Sequence, residues 1–225
     1  MICAADPLAE LTSQAQEYLE AVCRIADRGD AVTLKALSHE LHVAPPSVIG
    51  MLKRQEEQGL LRYSRQTGVQ LTAHGQHCAS TLRRRHRLAE CLLTDLLAIP
   101  WERAHEIACR FEHVIDDEVE GYLATALDHP DTCPHGNPIT EAAAPPLAPL
   151  TTLDPGSAGC LRRIVDETAP FLSYLHDLRL QPGVRVTVCE RAPFDGPLTV
   201  EINGERHALS RETADRLLVE KEGLA

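Results

Sequence analysis

The segment His105-Glu-Ile-Ala-Cys109-Arg-Phe-Glu112-His113 gathers four groups able to bind a divalent metal into one short stretch. On a helix advancing about 100° per residue, positions 105, 109, 112 and 113 fall on one flank, with Ile107, Phe111, Val114 and Ile115 mostly elsewhere. Upstream, His86 and Glu90 repeat the one-turn spacing. Imidazole, thiolate and carboxylate together suit a borderline first-row ion such as Fe(II), Mn(II), Co(II) or Zn(II), and not calcium, which takes oxygen ligands. A single His/Glu pair is an ordinary solvated helix face. A cysteine within the same face and a second pair nearby favour a metal site.

With 225 residues, 44% of them apolar, the chain can build one large or two to three small domains with real cores. It contains no run of 18 or more apolar residues, so no membrane partner is expected. The opening Met-Ile-Cys-Ala-Ala-Asp lacks the basic and apolar regions of a signal peptide, which leads us to expect the cytoplasm. In that compartment the eight cysteines, none in a CxxC pair, are expected to be reduced. Seven read as small hydrophobes and Cys109 as the exception. The net charge of −11 excludes a protein that coats nucleic acid as a whole. Yet residues 24–87 carry eleven Lys/Arg against five Asp/Glu. A basic segment inside an acidic protein is the asymmetry of a small nucleic-acid-reading module.

Periodicity predicts the elements that position these residues. Ala15, Tyr18, Leu19, Val22 and Ile25 mark a helix over 12–27, with Thr12 or Ser13 as its cap. A short helix over 33–41 follows, and Pro46 fits the first turn of a third helix reaching residue 58. Residues 60–72 read as two strands around a turn at Thr67-Gly68. This is the order of a winged helix-turn-helix, whose third helix enters the major groove. Two amphipathic helices are expected next, over 73–98 and 101–127, with apolar faces that bury each other or a second subunit. The turn-rich loop 128–140 contains Cys133 and His135, which are read as structural. Beyond an Ala/Pro-rich stretch, segments around 184–189, 198–202 and 205–209 alternate in the strand period with Asp195-Gly196-Pro197 and Asn203-Gly204 turns. The expected fold is mainly α with a small β domain. Its parts are a winged helix-turn-helix DNA-binding domain (1–72), a helical metal-binding and dimerisation domain (73–140), a linker (141–160) and a C-terminal SH3-like, FeoA-like barrel (161–225).

Three runs carry a family likeness: Arg85-His86-Arg-Leu-Ala-Glu90-Cys-Leu-Leu-Thr-Asp95, Cys109-Arg-Phe-Glu112-His113-Val and Cys133-Pro-His-Gly-Asn-Pro-Ile. With the order of domains, they make the chain resemble the diphtheria toxin repressor family of metal-activated transcriptional repressors over nearly its whole length. The resemblance implies an activating metal site at Cys109, Glu112 and His113, joined by Glu17, with Glu20 in the following turn. It implies an ancillary site at His86, Glu90 and His105, with Glu167 from the barrel. Glu17 and Glu20 look like the manganese-sensing branch and Cys109 like the iron-sensing branch. The implied cofactors are therefore Mn(II) and/or Fe(II), with Zn(II) or Co(II) able to substitute. Ala44, Pro46 and Ser47 fall on DNA-contacting positions, and Lys53, Arg54 and Arg65 supply basic contacts. The implied assembly is a homodimer on a palindromic double-stranded operator, shutting off metal-uptake genes when the ion is plentiful.

Two other classes compete. His105-Glu106-Ile-Ala-Cys109 has the spacing of a zinc-hydrolase helix, with Glu106 as general base. Glu112 and His113 would crowd its open coordination position, however, and an enzyme would leave the winged-helix module unaccounted for. A thiol redox sensor would use Cys109 without metal. No catalytic residue is assigned.

Overall fold

The computed structural model describes residues 6–140 and 146–222. The first five residues of the expected linker, 141–145, lie outside them. Two compact units emerge: Met1–His86 with Phe111–Tyr122, and Arg87–Arg110 with Leu123–Ala225.

In the first unit, α1 (Ser13–Asp27) is capped by Thr12, whose hydroxyl accepts from the Ala15 N–H. It is followed by α2 (Leu34–Glu40) and α3 (Pro45–Glu57), and by the hairpin β1 (Leu61–Ser64) and β2 (Gly68–Leu71). Apolar residues spaced by three and four on α1, namely Tyr18, Ala21, Val22 and Ile25, meet Leu37, Val48, Leu52, Leu61 and Val69 in one core. The buried Gln55 amide donates to the Ala15 carbonyl at 2.7 Å, tying α3 directly to α1. Gly68 has φ +72°, and a Cβ there would lie 2.5 Å from the Val32 carbonyl oxygen, so the hairpin can seat against that carbonyl only as glycine.

The helix α4 (Ala73–Cys91) runs on into a wider π-helical turn at Leu92–Leu96, short of the helix to 98 expected from periodicity. Within the first unit its Arg85 guanidinium is buried among three carboxylates, Asp6 at 2.9 Å, Asp117 at 2.7 Å and Glu120 at 3.1 Å. Arg84 also pairs with Glu120 and Arg83 with Asp27. Part of the basic surplus read from the sequence is thus internal pairing. Lys53, Arg54, Arg62 and Arg65 remain exposed.

The single helix expected over 101–127 is instead two, α5 (Trp101–Phe111) and α6 (Asp117–Ala126). Between them Glu112–Val114 tighten into a 3-10 turn, and Ile115 is extended and buried. The break has a local cause: the Asp116 carboxylate accepts from the Val119 N–H at 2.9 Å, and Asp117, Glu118 and Glu120 place negative charge in the first turn of α6. Residues 112 and 113 therefore lie in a 3-10 turn and not within one continuous α-helix.

In the second unit, β3 (Ala148–Pro149), β4 (Ala158–Ile164), β5 (Arg185–Arg191), β6 (Leu198–Ile202), β7 (Glu205–Leu209) and β8 (Leu217–Lys221) form an antiparallel sheet in the order β3-β8-β4-β5-β6-β7. Short helices α7 (Ala169–Asp177) and α8 (Arg211–Asp215) accompany it. Residues 148–160, expected as linker, already belong to this domain: Leu150 is fully buried in its core, beside Leu161, Val186, Val200 and Val219. The composition there is Ala- and Pro-rich, but Leu150 and Leu153 supply the apolar anchors.

The loop 131–139 closes on itself through Cys133 N–H to Asn137 O, Gly136 N–H to Cys133 O and Ile139 N–H to Asp131 O. It docks on β4 through Ile164 N–H to His135 O. Gly136 sits at φ +81°, and a Cβ there would fall 1.8 Å from the Arg162 carbonyl oxygen. Gly136→Ala should therefore destabilise the second unit by roughly 2–4 kcal/mol, combining left-handed strain with a backbone clash. Thermal melting of the metal-free protein checks this, and an unchanged transition would mean that the loop does not seat as described.

Candidate metal centre

On α1, the buried face that packs the core also carries Glu20, whose carboxylate is almost wholly enclosed. Its Oε1 lies 3.9 Å from His86 Nδ1, and the same imidazole nitrogen contacts Glu112 Oε2. Glu20, His86 and Glu112 each offer one ligand atom, all within 4.8 Å of one another, and all three residues are buried. His113, next in the 3-10 turn, places Nε2 3.8 Å from Glu112 Oε1. Two enclosed carboxylates facing one another are unstable without positive charge between them. The mixed nitrogen and oxygen donors fit a first-row divalent ion. Outside the cluster Glu20 Oε2 pairs with Arg24 at 2.9 Å, Arg24 with Glu40 at 3.0 Å, and Glu40 with Arg28 at 2.6 Å. Burial would raise the Glu40 carboxyl, but Arg28 and Arg24 outweigh it and hold it below the usual range. This string of charges joins the cluster to α2.

A second group lies in the other unit. Glu90, Cys133, His135 and Glu167 bring their ligand atoms within 4.8 Å of one another. His135 Nε2 donates to the Trp101 carbonyl at 2.9 Å, which turns Nδ1 toward Glu90 Oε1 and Glu167 Oε1, each 3.2 Å away. Asn137 orients Glu167 by donating to its Oε1 at 2.8 Å. His105 joins from α5, its Nδ1 3.1 Å from Glu90 and 3.7 Å from Glu167. Cys109 Sγ is 3.7 Å from His105 Nε2. Burial, with the Glu90 charge beside it, pushes the Cys133 thiol up to about 12. Burial disfavours charge on His135, yet Glu90 and Glu167 overcome it and raise its proton affinity well above the ordinary histidine range. The Glu167 carboxyl is pushed up by burial and Glu90 but more strongly down by His135 and His105. These carboxylates thus favour positive charge at His135. The donor set of thiol, imidazole and two carboxylates also fits a first-row ion.

Within the first unit, His86, expected with Glu90 and His105, also meets Glu20 and Glu112. Glu90, His105 and Glu167 sit with Cys133 and His135, which sequence reasoning had left as structural. Their partners come from residues 90 and 167, too distant along the chain for spacing to reveal. The Cys-x-His pair in a turn-rich loop was the available signal. Glu17 is exposed on α1 and belongs to neither cluster. Glu106, the base of the hydrolase alternative, is exposed, while His105 is engaged by Glu90 and Glu167. Ala44 caps α3, Pro46 and Ser47 lie in its first turn, Arg54 lies in its last, and Lys53 precedes it. Arg65 is in the β1–β2 turn, and all six are exposed.

Comparison with known proteins bears on this arrangement. Residues 10–69 match the N-terminal DNA-binding domain of iron-dependent repressors, 72–141 their metal-binding and dimerisation domain, and 148–221 the FeoA domain. The iron-dependent repressor IdeR of Mycobacterium leprae is 32% identical over 228 residues, covering 94% of this chain and 99% of that protein. A solved manganese-dependent transcriptional repressor in complex with manganese superposes with a TM-score of 0.82 at 28% identity, covering 92% of this chain and all of that one. ScaR with bound zinc gives 0.80 at 28% identity, covering 92% and 99%.

Because His135 hydrogen-bonds the Trp101 carbonyl and the two rings lie 5.7 Å apart, the lone tryptophan reports on the second cluster. Titrating Mn(II) or Zn(II) into metal-free protein should change Trp101 emission, and Cys133→Ser or Glu167→Gln should weaken that binding roughly tenfold or more. Both the thiol and the imidazole must lose a proton to bind. Affinity should therefore fall as pH is lowered, by about tenfold per pH unit for each proton displaced. Titrations at two pH values measure this, and equal affinities would exclude proton displacement.

Proposed function

Since this chain belongs to the diphtheria toxin repressor family of iron- and manganese-dependent repressors, we propose that Glu20, His86, Glu112 and His113 hold the activating ion. The protein is a metal-dependent, DNA-binding transcriptional repressor that acts as a homodimer on operator DNA, with Mn(II) or Fe(II) as its cofactor. The observation that carries the residue assignment is the buried convergence of Glu20 from α1 with Glu112 from the 3-10 turn. An ion supplies the positive charge that lets these carboxylates stay together away from water.

The residues explain how metal reaches DNA. Glu20 lies on α1, and α1 is tied to the recognition helix α3 by a shared core and by the Gln55–Ala15 hydrogen bond. Fixing Glu20 against Glu112 and His113 thus fixes the base on which α3 stands. DNA affinity changes only by the difference in metal affinity between competent and incompetent poses, typically ~1–3 kcal/mol of coupling. We assign Ala44, Pro46 and Ser47 to the major groove, with Lys53, Arg54 and Arg65 on phosphates. Glu90, Cys133, His135 and Glu167, with His105, are assigned as a second site. Glu17, exposed on α1, and Cys109, beside His105, are the further ligands that the family resemblance implies, and neither is needed for the set of four assigned here. Metal-uptake genes are the targets we assign. No residue is given a catalytic role, since the family's members are repressors. Among the described residues no helix is long and apolar enough to cross a membrane. We assign its work to the cytoplasm, where operator DNA would be met.

Gel shifts with a metal-uptake promoter should show binding that chelator abolishes. Glu112→Gln should raise the activating Mn(II) concentration about tenfold or more. Glu17→Met should move the response toward Fe(II) by exchanging a hard oxygen for a soft thioether, and Cys109→Glu should move it toward Mn(II). Equal binding with and without chelator would refute metal dependence, and an unchanged Mn/Fe ratio in both variants would refute the mixed-donor assignment.

A further inference from the structure

On α1, one turn before Glu20, the Gln16 side chain is buried. A buried carboxamide needs partners for both its ends. Its Nε2 donates to the Leu11 carbonyl oxygen at 3.2 Å, and a carbonyl can only accept, so the orientation of the amide is determined. Its Oε1 then faces His113 Nδ1 at 2.8 Å. An amide oxygen also only accepts, so the hydrogen of this bond belongs to Nδ1. In a neutral imidazole the lone pair is left on Nε2. That nitrogen is buried, makes no hydrogen bond among the described residues, and looks toward Glu112 Oε1 at 3.8 Å. The opposite tautomer would set two lone pairs against each other at Gln16 and enclose an unsatisfied N–H at Nε2, so the surroundings select against it.

We propose that Gln16 is a positioning residue that selects the Nδ1–H tautomer of His113 and so keeps Nε2 as an open ligand for a divalent ion. The proposal rests on the reading of Glu112 and His113 as ligands. Leu11, Gln16 and His113 form a hydrogen-bond chain whose direction is dictated at its start by a backbone carbonyl. The chain crosses from α1 to the 3-10 turn, the two elements that the ion would also join. The imidazole is therefore oriented before any metal arrives, and binding does not have to select the tautomer or the ring rotamer.

The test uses full-length, 15N-labelled, metal-free protein. Long-range 1H–15N correlation at about pH 8, where an ordinary imidazole is neutral, reads the tautomer, and His113→Asn identifies the signals. The expected pattern is a pyrrole-type Nδ1 and a pyridine-type Nε2. A pyrrole-type Nε2 would overturn the proposal whether or not any variant folds. Mn(II) affinity, read from the electron paramagnetic resonance of the free ion, should fall about tenfold or more in Gln16→Met, which keeps the shape and loses the acceptor. It should stay within about threefold in Gln16→Glu, which keeps the acceptor. Undiminished affinity in Gln16→Met beside weakened affinity in His113→Asn would overturn the role of Gln16 alone. Undiminished affinity in His113→Asn would remove the ligand reading and the proposal with it.

Discussion

Carboxylates taken out of water must find positive charge, and this protein buries them in pairs. Glu20 and Glu112 face one another around His86, and Glu90 and Glu167 around His135. Arg24 meets Glu20 from outside its pair, and an imidazole stands between the carboxylates of each. A permanent cation would stabilise each pair in all conditions. An imidazole between them can instead serve as a ligand, so a divalent ion would meet the same need for positive charge. Local devices present these groups: the 3-10 turn that carries Glu112 and His113, the self-bonded loop that carries Cys133 and His135, and the Asn137 amide that steers Glu167.

Much of the fold could be read in the residue pattern. Thr12 and Thr33 are the caps of α1 and α2, the prolines at 45 and 46 open α3, and Gly68 turns the hairpin. These are local effects, decided within a few residues. The break at Glu112 was less visible because Val114, Ile115, Val119 and Leu123 continue a helical apolar period through it. Only the Asp116 cap interrupts that period, and a carboxylate at one position looks the same in a cap as on a solvated face. The start of the barrel was masked in the same way, since Ala and Pro dominate residues 142–149 while the deciding contacts belong to Leu150 and Leu153.

The donors themselves were legible as types and spacings, but their grouping was not. His86 and Glu90 are one turn apart on α4, which suggested a shared ion. A separation of four residues on a helix still leaves about 6 Å of rise between them. That is enough for each side chain to meet further partners arriving from other elements. Glu90 finds His135 and Glu167, and His86 finds Glu20 and Glu112. Long-range topology supplies those partners, which spacing along the chain does not reveal.

Arg85 and His86 are neighbours in sequence with opposite duties. The guanidinium of Arg85 is permanently charged and neutralises Asp6, Asp117 and Glu120 at every accessible pH. The first unit is thereby held together by a cation that never leaves, one residue away from a cluster proposed to hold one that comes and goes. Small zinc-organised domains unfold when stripped of their ion, because the ion is their core. Here the core and the Arg85 network are built from the chain itself. The ion is relieved of any duty as a staple and can serve purely as a message, present or absent, delivered to a protein that is already folded to receive it.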